Sequence, residues 1–566
     1  MKKALPVLYL LLVVSVLVLM IGTVAWQTAP SADLIFVNGD IYPGTPFTTG
    51  AASPSGSGKR FTGMAVSAGK IVAVGSNQEV LRLKGRKTQV IDLEGRFVMP
   101  GFNDAHAHLA SGGFEKLNVD LVGAKSLDEM KDRIAARVRS AGPGEWIVGE
   151  GWDHTLWESK KLPSRQDIDS ISAGHPAIFT RVDGHIAIAN TAALQASGIT
   201  AQTKDPEGGK IDHDNSGDLT GILRETARGL VKEPRPSREQ HRRAVELTLK
   251  NAAQWGITSA QDNSDWEDFL TYEEFEKEGK LTLRISEWLP FDLPLDQLEQ
   301  LRRHHSSRDA LLHTAMLKGF MDGSLGSHTA AMLAPYADDP GNSGIPRFQQ
   351  EALDKKTAER AKAGFQIGFH AIGDRGARMA LNAFAYSIQQ GAKSDLRFRI
   401  EHAQIVSPDD FQKFKDLKVI ASMQPNHLLT DMNWAEKHVG ADRARYSYAW
   451  KTFLDDGIVL AFGTDYPVEP ITPFRGIYCA VTRRSEDGSK EYYPDQKLTI
   501  DQAIAAYTTG SAYAQFAESE KGVLAAGMLA DFVVLDRDIT KVAPPEILKT
   551  HVLRTVVGGK TVYTGN

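Results

Sequence analysis

The stretch Val98-Met-Pro-Gly-Phe-Asn-Asp-Ala-His-Ala-His-Leu109 carries an apolar run into a polar end that holds two histidines one residue apart. An extended chain repeats its side-chain direction every second residue, so His106 and His108 face the same way and can chelate one cation. Such a pair is weak evidence alone. Its weight comes from apolar runs elsewhere that alternate with helical patterns such as Arg238 to Trp255 and Lys355 to Ala363. Counting the first, near Phe97 to Asn103, eight strands are predicted; the others lie near Ile257 to Asp262, Leu281 to Leu289, Thr314 to Met321, Phe365 to His370, Arg397 to His402, Val419 to Met423 and Ile458 to Thr464. Strands alternating with helices build a parallel sheet. Eight such units close a (β/α)8 TIM-like barrel, whose reactive groups belong at the C-terminal strand ends.

The other eligible groups fall at those ends. His370 closes the fifth run, His402 the sixth and Asp465 the eighth, while Lys318 sits in the fourth with Asp322 at the same parity. Taken singly, each reads as a core histidine, a turn aspartate or a paired lysine. Taken together they predict a metal site. With Cys479 as the lone cysteine, any such site is built from His, Asp, Glu or Lys, and no internal disulfide can form. His241, His304, His305 and His313 fall away from strand ends and read as surface or core.

The rest of the chain arranges itself around this barrel, assigned to 97–110 and 237–519. Short Gly-broken runs at Leu34-Ile-Phe-Val-Asn, Met64-Ala-Val-Ser and Lys70-Ile-Val-Ala-Val match others at Asp531-Phe-Val-Val-Leu and Val552 to Tyr563. A small β-sandwich built from both chain ends, 33–96 and 520–566, is predicted, with Gly50 to Lys59 as a hairpin tip. Residues 111–236 break the repeat and carry strand-like runs of their own, which predicts an inserted domain covering the barrel mouth. Trp152, Trp157 and Trp288 read as packing residues or as an apolar pocket wall.

Composition narrows the function. The chain has 566 residues, 65 Lys plus Arg against 70 Asp plus Glu, and no basic stripe with interleaved aromatics, so nucleic acid is not an expected partner. Lys2 and Lys3 precede an apolar run from Ala4 to Trp26, so residues 1–32 read as a signal peptide or membrane anchor plus linker. Either role places the catalytic body on the extracytoplasmic side, tethered to the membrane if the segment stays uncleaved. A homodimer is left open.

Several motifs then point to one family. Gly151-Trp-Asp, Leu162-Pro-Ser-Arg, Arg181-Val-Asp-Gly-His185, Asn190-Thr-Ala-Ala-Leu194, Lys318-Gly-Phe-Met-Asp-Gly323 and Gly527-Met-Leu-Ala-Asp-Phe-Val-Val-Leu535 resemble the YtcJ-like branch of the amidohydrolase superfamily, which includes N-substituted formamide deformylases. The resemblance implies a divalent metal, zinc foremost, as one or two ions: His106, His108 and Asp465 hold the first and His370 and His402 the second. It implies a carboxylated Lys318 bridging both, with Asp465 as proton carrier and His185 reaching over the barrel mouth to the substrate. The implied reaction is metal-assisted hydrolysis of a C–N bond in a small amide, most specifically an N-substituted formamide. A heterocycle deaminase, an esterase or lactonase, and a non-catalytic membrane-tethered binding protein are the competing readings.

Overall fold

The computed structural model describes residues 31–46, 59–182, 184–307 and 309–565. The expected signal or anchor lies outside them, as does most of the Gly50 to Lys59 hairpin tip. Among the described residues no helix is long and apolar enough to cross a membrane.

Eight strands form one parallel sheet in which sequence neighbours are spatial neighbours. They are Phe102–Ala107 (β1), Ile257–Asp262 (β2), Arg284–Pro290 (β3), Leu312–Phe320 (β4), Ile367–Ala371 (β5), Arg399–His402 (β6), Ile420–Met423 (β7) and Leu460–Phe462 (β8). The ring closes where β1 meets the chain just past β8. Asp465 N donates to His106 O and His108 N to Tyr466 O, both at 2.7 Å. Buried Asp104 reinforces the seam by accepting from the Thr464 backbone and hydroxyl. The expected (β/α)8 barrel is therefore present.

The structure corrects two of the predicted strands. Phe97 to Asn103 is not one strand but the junction of two. Phe97–Pro100 pairs with Phe532–Leu535 and with Asp40–Ile41, and only after Gly101 does the chain enter the barrel as β1. Pro100 lacks the N–H that a continuing ladder needs, and Gly101 passes so near β2 that a Cβ there would lie 2.3 Å from the Thr258 side chain. The third strand begins at Arg284 rather than Leu281. Lys280 N and Leu281 N still close on Phe275 O, in the turn that ends the preceding helix.

Two further sheets face each other below the barrel. Lys70–Gly75, Gly63–Ser67, Ala32–Val37 and Lys84–Asp92 make one, and Asp40–Ile41, Phe97–Pro100, Phe532–Leu535, Val552–Val557 and Lys560–Thr564 the other. Phe36, Met64, Ile71, Val98, Phe532 and Val556 fill the space between them. A sandwich drawn from both chain ends follows.

Between β1 and β2 lies a six-stranded sheet spanning Val119 to Glu225. Its strands alternate in burial. Phe179, Ile188 and Ile222 pack with Trp152 and Trp157 on one face, while Ile178, Ala187, Ala189 and Leu223 pack on the other. Both tryptophans are thus core residues of this sheet, each with its indole N–H donated to a backbone carbonyl.

Candidate metal centre

Inside the barrel a buried polar chain orients the His106 ring. Arg399 Nε donates to Glu401 Oε1 at 2.8 Å, and its Nη2 donates to Ala105 O and Ser422 Oγ. Ser422 Oγ donates to Glu401 Oε2 at 2.7 Å, and that same oxygen stands 2.7 Å from His106 Nδ1. With Nδ1 held by a carboxylate, Nε2 of His106 is left to face the cavity, the arrangement that raises the basicity of a ligating imidazole. Burial would lift the Glu401 carboxyl, but Arg399 and His106 hold it down at about 2. Trp288 lies edge-on to the His106 ring with centroids 4.9 Å apart, so it is part of the site's floor.

His108 is set the same way from the opposite side. Its Nδ1 is 2.9 Å from Asn263 O, an acceptor only, so Nε2 turns inward to stand 3.2 Å from Asp465 Oδ1. His106 Nε2 is 3.5 Å from the same oxygen. Asp465 and His402 both depart from strand geometry at left-handed φ values of 59° and 75°. Neighbouring residues of a strand point to opposite faces, so this twist is what lets His402 follow Glu401 into the barrel mouth.

His106, His108, Lys318, His370, His402 and Asp465 all line one cavity of about 440 Å3 at the C-terminal strand ends. Their contacts differ. The His370 and His402 rings are 4.5 Å apart, and His370 Nε2 is tied to Gly323 O at 3.0 Å. Lys318 is buried and its Nζ lies 3.0 Å from His106 Nε2; burial pushes its ammonium down to about 8, against the pull of Glu401 and Asp465. Burial likewise brings His106 to about 4 and His370 to about 3, so these rings are neutral and their lone pairs available. The Asp465 carboxyl is pulled well below its ordinary range despite burial, by His106, His108 and His427.

Two contacts that the sequence allowed are absent. Lys318 does not pair with Asp322, which instead accepts from the backbone N–H groups of Ala331, Ile372 and Gly373 and so holds the loops after β4 and β5 together. His185 does not reach the barrel mouth. The pairing of Ile186 with Arg224 sets it beside Glu225, whose carboxylate is 3.0 Å from its Nδ1, and it lines a separate, more open cavity.

His427 went unread in the sequence. His427, in the helix Pro425–Asp431 after β7, places Nε2 3.0 Å from Asp465 Oδ2. The available signal was position alone, since Gln424-Pro-Asn-His427 follows a predicted strand end. The same cavity is also lined by the polar Gln404, His427, Asp431 and Glu469 and by the apolar Phe320, Leu325, Ile372 and Trp434.

A closed parallel barrel with imidazoles and a carboxylate converging above its strand ends defines the chain as a barrel hydrolase. It belongs to the amidohydrolase family, whose model matches residues 89–563. It is 34% identical to the protein LONG AFTER FAR-RED 3 of Arabidopsis thaliana, over 94% of this chain and 92% of that one. It is 31% identical to the putative amidohydrolase YtcJ of Bacillus subtilis (89% and 96%) and 27% identical to N-substituted formamide deformylase of Arthrobacter pascens (88% and 94%). Among solved structures it resembles an uncharacterised metal-dependent hydrolase of Pyrococcus horikoshii, at 30% identity and a TM-score of 0.73, over 90% of this chain and 99% of the other. The expected YtcJ-like branch is the one found.

Proposed function

We propose that the chain is a divalent-metal-dependent hydrolase that opens the C–N bond of a small acyl amine, with N-substituted formamides as its substrate class. The observation that carries this reading is a set of polar atoms gathered around the Asp465 carboxylate. Asp465 Oδ1 and His402 Nδ1 are buried without a hydrogen-bond partner. His106 Nε2 and His108 Nε2 stand 3.5 and 3.2 Å from that Asp465 oxygen. Atoms about 2.0–2.2 Å from one tetrahedral ion lie roughly 3.3–3.5 Å from each other, so these spacings suit coordination. The donor set of imidazoles and one carboxylate fits zinc.

Bound there, a divalent cation supplies a Lewis acid and lowers the pKa of water from about 15.7 toward 7. The residues do the rest. The Asp465 carboxylate stands where it can take a proton and pass it to the leaving nitrogen, with His427 beside its Oδ2. The apolar lining at Phe320 and Trp434 suits the N-substituent, and Gln404 and His427 offer hydrogen bonds to the acyl group. Lys318 supports a two-ion version of the site. As an ammonium it would direct protons at the His106 nitrogen meant for metal; as a carbamate it presents two anionic oxygens there instead. An intact mass greater by one carbon dioxide than the sequence predicts supports that state, and an unmodified mass under non-denaturing conditions returns Lys318 to a plain lysine.

Metal counting joined to a substrate screen tests the main reading. About one or two tightly bound ions per chain are expected at the barrel mouth, with formamide turnover lost on chelation and restored by Zn2+. Fewer than about one ion after mild purification overturns it, and turnover of lactones or amino-heterocycles without amides redirects the substrate class. We further propose that the body works on the extracytoplasmic side, which sequencing of the mature N-terminus and fractionation of cells would test.

A further inference from the structure

We propose a second divalent-cation site, on the outside of the barrel and apart from the catalytic mouth, formed by His305, Glu276 and Asp309. One ligand atom from each lies within 4.8 Å of the others. The helix Trp266–Lys277 follows β2 and contributes Glu276; the helix Leu295–His304 follows β3 and runs straight into His305 and Asp309. In a βα unit the helix returns toward the N-terminal side of the sheet, so both C-terminal helix ends lie at the barrel face opposite the catalytic one.

The geometry separates this cluster from an ordinary ion-pair patch. His305 Nδ1 is held by Glu273 Oε1 at 2.8 Å, which directs Nε2 outward in the way a carboxylate orients a ligating imidazole. That Nε2 is buried and makes no hydrogen bond. Its nearest acceptors are Glu276 Oε2 and Asp309 Oδ2, each at 3.5 Å, too long for a good hydrogen bond but the edge length expected around a tetrahedral ion with bonds of about 2.1 Å. Asp309 Oδ1 accepts from Leu311 N at 2.7 Å, which leaves Oδ2 to turn inward.

The cluster His328, Asp338 and His438 shows the contrast. There each histidine meets its own oxygen of Asp338, at 2.9 and 2.7 Å. Those are ordinary hydrogen bonds, and they latch the loop after β4 to the helix Ala435–Val439. One imidazole with two carboxylates around an open fourth position suits Zn2+, with Mn2+ second. An ion at His305 would join the ends of two successive barrel helices.

The test uses the full chain, stripped by a chelator and reloaded with Zn2+ alone. Adding Glu276→Gln and Asp309→Asn to a variant lacking catalytic ligands, His106→Ala with His108→Ala, should remove about one further Zn2+ per chain by elemental analysis. Glu276→Gln with Asp309→Asn should bind one ion fewer than wild type, keep its circular dichroism spectrum and keep formamide turnover. The two variants also separate this site from the catalytic proposal, since each removes one class of ion only. Equal Zn2+ content in wild type and the Glu276→Gln, Asp309→Asn chain overturns the inference, as does complete loss of Zn2+ from the His106, His108 variant while its fold persists.

Discussion

Asp465 meets four imidazoles yet keeps one oxygen without a hydrogen bond, and it holds a left-handed backbone to do so. Replacing it by Asn keeps the shape and removes the charge and the proton-accepting oxygen. Asp465→Asn should lower kcat by about 10^2- to 10^4-fold on a formamide substrate with an unchanged melting temperature, and rates near wild type would remove Asp465 from the proton path. His427→Asn acts one bond further out, and a loss of roughly 10- to 100-fold is expected from steady-state kinetics, because it removes the donor to Asp465 Oδ2 and leaves the other contacts in place. At this scale the sequence was readable where chemistry coincides with a strand end, as at His106, His108, His370, His402 and Asp465. Glu401 was not assigned a role because its partners Arg399, Ser422 and His106 come together only across three strands. His427 was missed because it rides on a helix, where strand parity gives no direction.

Elements are placed as much by missing atoms as by apolar surface. The helix Leu109–Leu117 leaves β1 directly after His108 and packs against the helix Arg238–Gln254. A Cβ on Gly113 would lie 2.1 Å from Ala244 O, and one on Gly112 would lie 1.8 Å from the Tyr466 ring. Backbone gives way less readily than a side chain, so Gly113→Ala must part the two helices. It should cost about 1–3 kcal/mol in chemical denaturation, the range of core overpacking, and a loss under about 0.5 kcal/mol would show that the helices slide freely. Because Gly113 lies in the helix that His108 caps, the strain should also reach the metal affinity. The eight barrel strands were legible from hydrophobic runs because a parallel strand is covered on both faces. The boundary between Phe97–Pro100 and β1 was not, since the apolar run passes through it and only Pro100-Gly101 marks the change of sheet.

For the molecule as a whole, the seam between barrel and sandwich is polar and buried. Arg284 of β3 grips Asp531 with two hydrogen bonds of 2.6 and 3.0 Å, and Gly558 N donates to the same carboxylate. Lys521 is buried beside them and donates to Ser259 Oγ on β2. Burial first, and then the Arg284 charge, push its ammonium down from 10.5 to about 7. Between those two values the unfolded chain holds a proton that the folded chain has released. Folding is therefore penalised near neutrality, and stability rises with pH across that window by up to about 1.4 kcal/mol per pH unit from this group. Below about pH 7 both states carry the proton and the slope vanishes. Lys521→Met removes the titration while keeping an apolar stem in the seam. Denaturation midpoints measured from pH 7 to pH 10 should climb less steeply for the variant than for wild type, and parallel curves would mean that Lys521 keeps an ordinary ammonium. The sandwich runs were visible at both chain ends because Gly breaks each apolar run. This seam was invisible because Ser259, Arg284, Lys521 and Asp531 come from four separate segments that only the closed fold brings together.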